Sequence, residues 1–111
     1  MNTEQIPYIR WGEYKSKEQN KPDRLEIEVT GLEQFESELT TNVQVRQKVQ
    51  GEWQERILPL KAHESNNSSL LKQWNDLIKK KKIIVGSKLV IFTWLGISKY
   101  NRVIRKFQVE V

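Results

Sequence analysis

Cysteine is absent from the sequence. Disulfides, thiolate nucleophiles and cysteine-built zinc sites are therefore excluded. Histidine occurs once, at His63, which removes two-histidine metal sites and His-pair chemistry. No HExxH, GxSxG or acidic metal cluster is present. Gly86-Ser87-Lys88 resembles the tail of a phosphate-binding loop, but it lacks the upstream glycine and precedes a strand rather than a helix. His63 is followed by Glu64 and Ser65, yet side chains adjacent along a chain do not converge as a catalytic triad must. No catalysis, metal or cofactor is expected. The longest apolar run is Leu89-Val90-Ile91-Phe92, followed after Thr93 by Trp94 and Leu95, far short of a membrane span. Met1 to Gln5 carries no basic region leading into an apolar one, so it does not read as a signal peptide. The expectation is a cytoplasmic protein without a membrane partner.

The 111 residues are 37% hydrophobic and 30% charged, too apolar for a disordered chain and too polar for a membrane protein. One core is within reach at this length. The net charge is +5, and it is unevenly spread. Residues 1–60 hold 8 basic and 11 acidic residues, and residues 61–111 hold 11 basic and 3 acidic. A basic side attracts phosphate-rich or acidic partners.

Hydrophobic periodicity orders the chain. Residues 1–23 read as a lead-in segment carrying Tyr8, Trp11 and Tyr14, with an exposed loop from Lys15 to Lys21. Leu25, Ile27 and Val29 alternate with Glu26 and Glu28, the mark of a half-buried strand. After Gly31, residues 32–39 either prolong that strand or form a helical turn. Val43, Val45 and Val49 alternate with Gln44, Arg46 and Lys48, and Gln50-Gly51-Glu52 signals a turn into a return strand from Trp53 to Leu60. Leu70, Leu71, Trp74, Leu77 and Ile78 share one helical face, which predicts a helix over 68–81. Asn67 or Ser68 would cap it, and Lys79 to Lys82 would sit at its C-terminal end. Leu89 to Leu95 is apolar on both faces and reads as a strand that is central or covered twice, and residues 102–111 alternate again.

Three strands, a helix and two strands resemble the OB-fold in order and length, over 24–39, 42–50, 53–60, 68–81, 88–95 and 102–111. The resemblance implies a mainly β, five-stranded barrel over residues 24–111, with the helix between strands 3 and 4. Gly31 resembles the bend glycine that lets a first strand serve both sheets. By pattern, the nearest relatives would be small single-strand-binding proteins.

In such barrels the second and third strands form the usual binding face. Stacking rings beside cations bind single-stranded nucleic acid. On the first hairpin Arg46, Lys48 and Arg56 lie near Trp53, whose ring is either a platform or core. The loop Ser98-Lys99-Tyr100-Asn101-Arg102 joins the last strands and leads to Arg105. The expected site is thus Arg46, Lys48, Trp53, Arg56, Lys99, Tyr100, Arg102 and Arg105, binding single-stranded nucleic acid, DNA ahead of RNA. The rival is a protein-interaction module docking through the acidic residues 26–38, which otherwise read as a solvated face. Trp74 and Trp94 read as core, and Lys79–Lys82 as a solvated helix end or a diffuse phosphate-steering patch.

Overall fold

The computed structural model describes residues 6–10, 17, 21–65 and 68–111. Trp11, Tyr14 and Asn67, to which the sequence lends packing or capping roles, lie outside them. Six strands and one helix follow in the order β1 (Asp23–Val29), β2 (Phe35–Glu36), β3 (Thr40–Val49), β4 (Glu52–Ala62), α1 (Ser69–Lys79), β5 (Lys88–Ile97) and β6 (Val103–Glu110). The strands make one antiparallel sheet ordered β2-β3-β1-β5-β6, with β4 on the other edge of β3.

The alternating segments bury one face, as period two requires. Leu25, Ile27 and Val29 of β1 meet Val43 and Val45 of β3, Leu58 and Leu60 of β4, and Leu89 and Ile91 of β5. Leu70 and Trp74 of α1 complete this core with Ile83 and Ile9. β5 lies between β1 and β6, so it is the central strand its two apolar faces predicted. The β3–β4 hairpin turns on Gln50 (φ 53°) and Gly51 (φ 83°), both left-handed, the geometry of a two-residue type I′ turn. Its register sets Lys48 opposite Trp53, Arg46 opposite Glu55 and Val45 opposite Arg56.

Three expectations need correction. The sheet is open rather than a closed barrel, because each strand that would close it already has another partner. The Ile57 N–H donates to the Pro7 carbonyl at 2.9 Å and the Ile9 N–H donates to the Ile57 carbonyl at 2.8 Å, so residues 7–9 line the outer edge of β4. On β6 the Gln73 side chain of α1 stands in for a strand. Its amide donates to the Phe107 carbonyl and accepts from the Val109 N–H, both at 2.9 Å. The helix packs on both β4 and β6 and wedges the gap.

Second, the helix follows the fourth strand, not the third, because the segment 24–39 splits into β1 and β2. The Thr30 and Gly31 N–H groups both point to the Gln44 carbonyl, two residues against one, as in a β-bulge. A Cβ at Gly31 would meet nothing within 4 Å, so the bend does not depend on glycine. Third, Ser68 makes no side-chain cap. At the other end Lys82 N–H reaches the Leu77 carbonyl and Lys81 N–H the Ile78 carbonyl, a Schellman closure with Lys81 at φ 59° in the position glycine usually fills.

Trp74 is fully buried, and its indole N–H meets no acceptor among the described residues. The residue therefore contributes by volume. Trp74→Ala is expected to cost about 3–5 kcal/mol, whereas Trp74→Phe should cost distinctly less, both measured by chemical denaturation. At the hairpin, Gly51→Ala should cost about 1–2 kcal/mol from its left-handed backbone alone.

Candidate nucleic-acid interface

Seven of the eight residues singled out in the sequence divide between two surfaces, and Arg56 joins neither. Arg46, Lys48 and Trp53 share the outer face of the β3–β4 hairpin. Trp53 is half-buried and points outward, with the Lys48 ammonium 5.9 Å and the Lys88 ammonium 5.6 Å from its ring centroid. Lys88 arrives because Glu28 of β1 pairs with both Arg46 and Lys88 across the sheet. The same face carries acid: Arg46 lies 3.5 Å from Glu28, and Glu55 is its cross-strand partner. A small cavity of about 260 Å³ beside Trp53 is lined in part by Glu26 and Glu110. Arg56 does not join this stripe. Opposite Val45, it leaves the sheet on the core face, where its guanidinium donates to Gln54 and to the Glu55 carbonyl.

Lys99, Tyr100 and Arg102 come together elsewhere, on the β5–β6 loop. Ser98 builds that loop: its hydroxyl oxygen accepts from the Tyr100 N–H at 3.2 Å and the Arg102 N–H at 3.3 Å. The Asn101 N–H closes the turn on the Ser98 carbonyl, with Asn101 at φ 60°, a conformation asparagine tolerates. The Tyr100 ring is 74% exposed, with the Lys99 ammonium 5.1 Å from its centroid. Ring, Lys99 and Arg102 line a cavity of about 640 Å³ with Glu64, Ser65, Ser98 and Ile104. Ser65 and Ile104 also line a second cavity of about 400 Å³, between the end of β4 and the start of β6, whose walls include Lys61, Arg105 and Phe107. The two adjoin at Ser65 and Ile104 along the seam where the sheet stays open. Arg105 belongs to the wall of the second: opposite Leu95, it donates to the Thr93 hydroxyl at 3.1 Å.

Trp94 is buried, as its apolar strand predicted. Within the acidic run 26–38, Glu28 faces Arg46 and Glu36 is engaged by His63. That last pair escaped the sequence, which holds its members 27 positions apart. The Glu36 carboxylate accepts from His63 Nε2 and from the Thr41 hydroxyl, tying β2 to the turn after β4. These bonds, the histidine's first, hold the Glu36 carboxyl below its ordinary value of 4.5.

A lowered carboxyl pKa adds stability that is complete above the unfolded value and lost as the pH falls through the folded one. Glu36→Gln should therefore be less stable than the parent at neutral pH, and the gap between them should narrow as the pH drops below about 4.5. Denaturant midpoints across that range check this.

The chain matches no family model, no curated protein and no solved structure.

Proposed function

We propose that this protein binds single-stranded nucleic acid without catalysis, through the groove between the end of β4 and the β5–β6 loop. The observation that carries the reading is the Tyr100 ring, mostly exposed, flanked by Lys99 and Arg102 over an open groove. A base stacks on such a ring whatever its identity, while the cations meet the phosphates on either side. The loop is held by Ser98 rather than free, so less ordering is left for the ligand to impose. Lys61 extends the cationic lining into the neighbouring cavity.

The strand pairing adds support. β1 lies between β3 and β5, β4 flanks β3, and β6 flanks β5, the neighbours an OB-fold would have if its last seam were opened. The hairpin face around Trp53 is the weaker candidate, since its cations alternate with Glu26, Glu28 and Glu55 and two ammonium groups already attend the ring.

One observation favours a protein partner instead. Ile97 and Val103 face each other at the base of the same loop and are 57% and 67% exposed. An apolar pair of this kind suits a protein surface better than a polynucleotide.

A labelled single-stranded oligonucleotide titrated with purified protein separates the readings by fluorescence anisotropy. With about three phosphates neutralised by Lys61, Lys99 and Arg102, log affinity should fall with log salt at a slope of about −2. Tyr100→Ala should weaken binding by about 1–3 kcal/mol, while Ile97→Ser should leave it unchanged. Absence of binding at low salt, or a Tyr100→Ala protein that binds like the parent, would overturn the nucleic-acid reading.

A further inference from the structure

A third surface lies outside the groove and the hairpin face, where α1 hands over to β5. Lys79, Lys80, Lys81 and Lys82 are all exposed. One of them, Lys80, has a carboxylate partner, Asp76, at 3.0 Å. The next three residues are apolar and separate sharply. Ile83 is buried in the core, whereas Ile84 and Val85 are 60% and 59% exposed. They sit at the tip of a tight turn, held because the Ser87 N–H bonds the Ile84 carbonyl and the Ile84 N–H bonds the Ser87 hydroxyl. Gly86 takes φ 93° and docks its N–H on the Val29 carbonyl at 2.7 Å. The turn is thus a rigid projection rather than a loose loop.

From this we infer that the 79–85 corner is a docking site for an anionic lipid surface. Two aliphatic side chains on a fixed tip, flanked by ammonium groups, match the two layers of a bilayer face: hydrocarbon just below, phosphate and carboxylate head groups above. Charge complementarity selects an anionic partner, and the aliphatic tip selects lipid over nucleic acid, since neither Ile84 nor Val85 offers a ring for a base to stack on. Lys81 fits the same reading. It keeps a positive charge at a left-handed position where glycine would be unstrained. No helix among the described residues is long and apolar enough to cross a membrane.

Co-sedimentation with phosphatidylcholine vesicles, with and without phosphatidylserine, tests this. The parent protein should pellet with the mixed vesicles and stay in the supernatant with phosphatidylcholine alone. Replacing Lys79, Lys81 and Lys82 by glutamine should lower vesicle affinity roughly a hundredfold at low ionic strength, from about fivefold per lysine. The double variant Ile84→Ser, Val85→Ser should lose at least about tenfold, with its thermal midpoint unchanged because neither side chain is in the core. Three results would overturn the inference: no pelleting of the parent at low salt, equal pelleting with neutral vesicles, or full vesicle binding by the double serine variant. Loss of oligonucleotide binding by the glutamine variant, with vesicle binding intact, would instead assign these lysines to nucleic acid.

Discussion

Unpaired backbone groups at a sheet edge must find partners, and how β4 and β6 find theirs determines the shape of this molecule. Had the two strands bonded each other, the sheet would have closed. Instead Ile57 is served by Pro7 and Ile9, and Phe107 and Val109 are served by one glutamine side chain from α1. Part of each edge is thus already engaged, and closure would have to displace the helix that packs on both strands. The seam that remains is the groove. Its cationic lining comes from the β5–β6 loop and the end of β4.

The same logic explains what could be read directly from the residues. Period-two runs with hydrophobic side chains on one face, as in 25–29 and 43–49, declare themselves because burial acts on every second residue. The helix declares itself through Leu70, Leu71, Trp74, Leu77 and Ile78. What edges do is hidden. Gln73 looks like any polar residue on a helix, and nothing in its neighbours says that its amide substitutes for a strand. Pro7 to Ile9 carry too short an apolar pattern to suggest that they line β4. The open seam was thus illegible, and so was the break that makes β2 a strand of its own.

The candidate site was legible in part for a related reason. Composition marks residues that are cationic or aromatic, but the face each one takes depends on register. With a two-residue turn at Gln50-Gly51, Lys48 must oppose Trp53 and Val45 must oppose Arg56. The turn signal therefore already contained the fact that Arg56 leaves on the core side. Proximity in sequence to Trp53 concealed it. The loop 98–102 posed no such difficulty, because no sheet face had to be chosen for it. The pair of Glu36 and His63 is the opposite case: a contact between β2 and a distant turn, with no local signature at either end.

Charge distribution then separates surfaces that composition alone treats as one. Cations on the hairpin face are interleaved with carboxylates because β1, whose outward positions are Glu26 and Glu28, lies between β3 and β5. At a few ångströms an alternating array presents little net potential to a polyanion, whatever the count of lysines and arginines within it. The groove borders β4 and β6 instead, and Glu64 is the one carboxylate among its described lining residues. Among the described residues, Asp76 is the one carboxylate within ion-pair distance of Lys79 to Lys82. A net charge of +5 therefore does not describe a uniformly basic molecule. Cations interleaved with carboxylates attract an anion less at a distance than cations grouped together.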